Sequence, residues 1–166
     1  MECAQSLFEV GELVVGAMLV SELDPPHREW DRALEDLLHY LEQHAIDTEH
    51  VRMLSITQGG SPDTRQRAGL KKAFEGRHPK VGVISAALDS PLKRGIATAI
   101  QWINPQVALF APEQARAALT YLDLEHAAEK ILEEYAALER RIRPLPVMQA
   151  VAQGLAPQAA AVRSKR

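Results

Sequence analysis

The sequence predicts an α/β fold: a single mixed β-sheet of about five strands with an N-terminal hairpin and helices packed mainly on one face, plus an extra C-terminal helix. Three observations carry this. Short apolar runs alternate with segments of helical spacing, and a proline stands at or beside the expected start of each of the four helices that follow a strand. The 166 residues, 46% hydrophobic and 25% charged, suit one core of ordinary globular composition.

Taken in order, Leu7 to Val10 and Leu13 to Val20 are rich in β-formers and are joined by Gly11-Glu12, which predicts two paired strands. Asp24-Pro25-Pro26 supplies a cap and a rigid first turn. Trp30, Ala33, Leu34, Leu37, Leu38, Leu41 and Ala45 then recur at helical spacing. Val51 to Thr57 alternates as a strand does and runs into Gly59-Gly60-Ser61-Pro62, where Ser61 is expected to cap a helix with Pro62 at its first position, ending near Gly76. Val81 to Ala86 is the next strand. Asp89-Ser90-Pro91 opens a helix with Leu92, Ile96, Ala99, Ile100 and Ile103 on one face, which Asn104-Pro105 ends. Val107 to Phe110 predicts the last strand, and Pro112 opens a helix through Ala115, Leu119 and Leu122. The order ββαβαβαβα implies right-handed crossovers in one sheet.

This organisation divides the chain into a domain over 1–123, an amphipathic helix over 124–143 and a flexible tail over 144–166. In the helix, Leu124, Ala128, Ile131, Tyr135, Leu138 and Ile142 follow a regular four-three spacing between charged residues, making a narrow stripe that must be buried. The expectation is an interface through Ala128, Ile131, Tyr135, Leu138 and Ile142 with a second copy, giving a homodimer. The tail, with Pro146, Gly154, an Ala/Gln-rich stretch and Arg163-Ser164-Lys165-Arg166, is assigned no fold.

Nineteen basic against twenty-two acidic residues, a net charge of -3 and a pI near 6.1 give no field that would attract nucleic acid. Cys3 is the one cysteine, so an intramolecular disulfide and a thiolate-rich metal site are excluded. Its place near the start predicts a mobile thiol and a reducing, cytoplasmic setting. Glu2 replaces a basic n-region, and the longest apolar run, Leu13 to Val20, falls short of the roughly 20 residues a bilayer demands, so neither an export signal nor a membrane span is expected. The histidines at 27, 39, 44, 50, 78 and 126 form no His-x-x-x-His pair, and no metal or cofactor is expected. No Gly-x-Ser-x-Gly elbow is present, and the chain is not expected to be an enzyme.

Two helix starts offer binding chemistry. Gly59, Gly60 and Ser61 stand between a strand and a helix N-terminus, where amides and the helix dipole favour an anion. No Walker A lysine follows, and Asp63 already supplies the negative charge, so a plain capping turn is the preferred reading. Ser90, Lys93 and Arg94 occupy the next equivalent start, where two cations oppose the dipole and point to an anionic partner or a solvated basic face. With Arg65, these residues are expected to form one polar contact surface. Trp30 and Trp102 fall on apolar helix faces and read as core.

The stretch from Trp30 to Leu124 resembles the STAS-like (SpoIIAA-like) domains related to the sporulation anti-anti-sigma factor, in a bacterial subgroup also compared with lipid-binding SEC14-type domains. The most specific segment is Ser85 to Leu122, with Asp89-Ser90-Pro91-Leu92-Lys93-Arg94-Gly95-Ile96-Ala97-Thr98-Ala99-Ile100-Gln101-Trp102, then Asn104-Pro105, Phe110-Ala111-Pro112 and Leu119-Thr120-Tyr121-Leu122. The resemblance implies a docking module in bacterial signalling. In anti-anti-sigma members a serine in an Asp-Ser-Ser-Gly-like motif at the second helix start is phosphorylated. Here Gln58-Gly59-Gly60-Ser61-Pro62-Asp63 puts Ser61 near that point and lacks the motif.

The function expected first is therefore a non-enzymatic regulatory or protein-docking module with an unidentified protein partner. The alternative is a module that binds a small anionic or lipidic ligand between sheet and helices, and a serine-dependent hydrolase or transferase ranks last. A deep apolar pocket favours the ligand reading, and a filled core favours docking.

Overall fold

The computed structural model describes residues 1–75, 78–88 and 104–156. Five strands form one sheet in the order β1-β2-β3-β4-β5: Cys3–Val10, Leu13–Val20, Val51–Thr57, Lys80–Ser85 and Val107–Phe110. β1 and β2 are antiparallel, with Cys3 opposite Val20, and the remaining pairs are parallel. Gly11 adopts φ +59° in the two-residue turn of the hairpin, a conformation that glycine accepts without steric cost. The mixed sheet and the opening hairpin are as expected. β1 begins earlier than the apolar run at Leu7, and this places Cys3 in the sheet. Cys3 is buried, and burial, followed by the Glu29 carboxylate, pushes its thiol up to about 12, so the expected mobile thiol is corrected to a buried, protonated one.

Helix α1 spans His27–Gln43 and buries Trp30, Ala33, Leu37 and Leu41. Helix α2 spans Thr64–Ala73. After a single 3-10 turn at Pro112–Gln114 comes α3, Ala115–Tyr121. A second such turn at Glu125–Ala127 leads into α4, Ala128–Arg141, and α5 spans Pro146–Leu155. The helix expected from Pro91 lies outside the described residues.

The parallel strands advance across the sheet in one direction, β2 to β5. Crossovers of one hand then place their helices on one face, and α1 and α2 do share a face, where Leu37, Leu41, Val51 and Phe74 form a cluster with Leu7, Leu34, Met53 and Leu70 packed against it. Among the described residues the other face carries no crossover helix, and α3, α4 and α5 cover it. Ala4, Val15, Ala17, Leu19, Leu54, Ile56 and Ile84 meet Leu119, Ile131, Tyr135, Leu138 and Val151 in the main core. Helices thus lie on both faces of the sheet, where they were expected mainly on one.

Two expectations for the C-terminal region are corrected accordingly. Ile131, Tyr135 and Leu138 are each 1% exposed, and Ala128 and Ile142 pack at the margin of the same core, so the stripe is buried within its own chain and is not a dimer interface. The hydroxyl of Tyr135 donates to the carbonyl of Leu54 in β3, tying α4 to the sheet. The supposed tail is, over Pro146–Leu155, a helix that buries Val147, Met148, Val151 and Leu155. Its start receives the Gln58 side chain, which accepts from Val147 N at 2.8 Å, and Arg116 Nη2 donates to the carbonyl of Leu155 at 2.9 Å near its end.

Candidate functional site

The loop after β3 is held from three sides. The Thr57 hydroxyl donates to the carbonyl of Gly60 at 2.7 Å and accepts from Gly59 N at 3.0 Å, while Gly60 N donates to the carbonyl of Ser21 at 2.9 Å. Ser61 does not cap α2. Asp63 does, accepting from Gln66 N at 2.8 Å while the Gln66 side chain accepts from Asp63 N at 2.8 Å, a reciprocal box that moves the helix start two residues past Pro62. Ser61 N instead donates to Asp24 Oδ1 at 2.8 Å. A carboxylate of the chain itself therefore sits where the loop would have received an anion.

Arg65 is engaged in the same way. Its Nη2 meets Asp31 Oδ2 at 3.0 Å, and its Nη1 donates to His27 Nδ1 at 3.0 Å, which leaves His27 Nε2–H to donate to Asp63 Oδ2 at 2.5 Å. These links fasten the start of α1 to the start of α2. Gly59, Gly60, Ser61 and Arg65 are therefore brought together as a braced junction. Ser90, Lys93 and Arg94 lie outside the described residues.

The brace has a titration signature. The backbone amide of Gln66, and then the His27 ring, hold the Asp63 carboxyl below its ordinary 3.8. Hydrogen bonds from Lys80 and then Arg52 do the same for Asp123. A depressed carboxyl contributes stability above its unfolded value and loses it as pH falls through its folded one. Replacing Asp63→Asn, which keeps the cap acceptor but removes the charge, should lower the neutral plateau of a urea-midpoint curve and flatten its acid limb below the ordinary value of 3.8, the two curves converging at low pH. An acid limb as steep as that of the unmodified chain would show that Asp63 carries no such linkage.

Beneath α1 the sheet is not fully packed. A cavity of about 150 Å³ lies between the sheet and α1, reaching Leu70 of α2. Its floor is Gly16, Met18, Met53, Ser55, Val81 and Val83; its wall is Trp30, Ala33, Leu34 and Leu37; its rim is Pro25 with Gly59–Pro62 at the carboxyl ends of β2, β3 and β4. No charged side chain is among the described lining residues. The space arises from small residues facing one another, Gly16 and Ser55 on the sheet and Ala33 on the helix. A Cβ on Gly16 would meet Leu7 Cδ2 at 3.7 Å, Met53 Cγ at 3.8 Å and the carbonyl oxygen of Arg52 at 4.0 Å, ordinary contacts. Crevices at the carboxyl ends of parallel strands are where α/β sheets hold ligands.

None of the expected binding side chains pointed to this cavity, although Gly59, Gly60 and Ser61 form part of its rim. The available signal was Gly16. A glycine inside the run Leu13 to Val20 weakens a strand and often marks close approach by another group. Trp30 is buried as expected and lines the cavity as well. Among the described residues no group of side chains is arranged to hold a metal ion, and no helix is long and apolar enough to cross a membrane.

No family model matches the sequence, and no curated protein is similar to it. Among solved structures, an uncharacterised protein of the DUF3478 family with a SpoIIAA-like fold, from Shewanella loihica PV-4, is similar to this chain. It superposes with a TM-score of 0.52 at 18% identity, over 72% of this chain and 93% of its own length. At that identity the likeness establishes the fold, and the five-stranded sheet with its opening hairpin is a SpoIIAA-like architecture.

Proposed function

We propose that this chain is a non-enzymatic STAS-like binding module that holds a small, uncharged, largely apolar molecule between its sheet and α1. The apolar cavity beneath α1 carries this reading. It reverses the order expected from the sequence, in which protein docking stood first. The anionic form of the ligand finds no support in the cavity, because a desolvated anion needs a buried cation and none lines it among the described residues. The absence of any titratable side chain from that described lining supports a binding role over acid–base chemistry.

A cavity of about 150 Å³ is the size that has accepted benzene in an engineered protein core. Methylenecyclohexane is a suitable probe. Titrated into the isotopically labelled chain, it should shift amide resonances of β2, β3 and α1, and Gly16→Leu, which fills the floor, should abolish those shifts without lowering the melting temperature. Shifts that persist in Gly16→Leu, or that never arise in the unmodified chain, would exclude this cavity as the site.

A further inference from the structure

Trp30 is 6% exposed, and its indole nitrogen is buried with no hydrogen-bond partner among the described residues. Buried tryptophan N–H groups ordinarily find an acceptor, since leaving one unmade forfeits the full cost of removing it from water. Each such orphan calls for a physical reason. The second orphan, Ser6 Oγ, stands on β1 between Ala4 and Phe8, which belong to the opposite helix layer. Ser6 and Trp30 both line the cavity, and of the two Trp30 carries an N–H that can only donate.

Two hydroxyl groups of the lining are committed. Thr57 donates to the carbonyl of Gly60, and Ser85 Oγ accepts from Ala87 N at 3.2 Å. A polar donor without an acceptor thus borders an apolar space that no described charge lines. We infer that Trp30 is the specificity-determining residue of this site, its indole N–H donating to a single neutral acceptor, the oxygen of a ketone, ester or ether, on an otherwise hydrocarbon ligand. The inference rests on the proposed binding function and deepens it. A carboxylate or phosphate is disfavoured at the same place, because one neutral donor cannot offset the desolvation of a full charge.

Cyclohexanone and methylenecyclohexane have nearly the same shape and differ in an oxygen against a methylene group, so they separate this inference from the reading it rests on. In the unmodified chain, cyclohexanone should move the Trp30 indole proton downfield while methylenecyclohexane leaves it close to its free position. The chain has two tryptophans, and a Trp102→Phe variant identifies the signal. Trp30→Phe keeps an aromatic wall and removes the donor. It should weaken cyclohexanone binding about tenfold and that of methylenecyclohexane by no more than about twofold. Equal weakening of both probes, or an indole proton indifferent to the ketone, overturns the assignment while leaving the cavity a binding site. Failure of both probes to bind the unmodified chain overturns the assignment and the proposed function together. The indole resonance decides the matter in the unmodified protein should Trp30→Phe fail to fold.

Discussion

Replacing Ile131 and Leu138 together with glutamate should unfold this protein. Both side chains are 1% exposed in the core that α4 makes with β1 and β2, and the described residues buried in that core include no basic group to pair with a new carboxylate. Losing the apolar contacts alone costs about 2–5 kcal/mol for each residue. Burying two unpaired charges adds to that, against a total stability of about 5–15 kcal/mol for an ordinary domain. Circular dichroism should show the loss of cooperative melting. The milder Leu138→Ala should remain folded at neutral pH and lose about 2–5 kcal/mol in urea. A folded double mutant that merely sediments at lower mass would return the stripe to an intermolecular role.

Gly60→Ala should be the most damaging single methyl group in the β3–α2 loop. A Cβ there would stand 2.0 Å from the carbonyl oxygen of Leu23, 2.7 Å from its carbon and 2.9 Å from the oxygen of Ser21. All three are backbone atoms, so no rotamer change relieves the contact. The segments must separate, and the Gly60 N–H to Ser21 bond is lost with them. Overpacking of this kind costs about 1–3 kcal/mol or more, and with the lost hydrogen bond a fall of roughly 6–12 °C in melting temperature is expected. Gly59→Ala is the internal control, because its Cβ would find nothing nearer than Glu22 Cα at 3.8 Å. It should melt within a few degrees of the unmodified chain. Both glycines border the cavity, but only a Cβ on Gly60 displaces the backbone of the rim, so Gly60→Ala should also weaken methylenecyclohexane binding and Gly59→Ala should do so far less. Equal melting temperatures for the two variants would mean that the loop yields freely and does not shape the rim.

Much of the fold was legible because its signals are local. The strands from Leu13, Val51 and Val107 begin and end where apolar patterning and turn residues place them, and the first helix follows Pro26 directly. Cys3 to Ser6 are strand by pairing with the end of β2 and not by their own composition, and this is why β1 was read short. At α2 the sequence contained its own answer in Asp63 and Gln66, three apart, but Ser61-Pro62 offered a rival cap that composition could not rank.

The destination of the C-terminal stripe was decided only in three dimensions. Its four-three spacing states that one face must be covered and is silent about what covers it. The answer depends on the direction in which the strands advance: a sheet extended one way by crossovers of one hand has a bare second face, and α3, α4 and α5 are the cover for it. For the same reason Val147, Met148, Val151 and Leu155, a helical pattern diluted by alanine and glutamine, form a packed helix where the sequence read as tail. The cavity belongs to the same class of fact. Gly16, Ala33 and Ser55 are unremarkable small residues until the register of β2 with β3 and the placement of α1 set them opposite one another, and an absence of side-chain volume has no signature along the chain. The sequence by itself determined the elements, because hydrophobic period and turn chemistry act over neighbouring residues. The tertiary structure alone decided which surfaces were buried and where space was left, because those follow from packing between segments far apart in sequence.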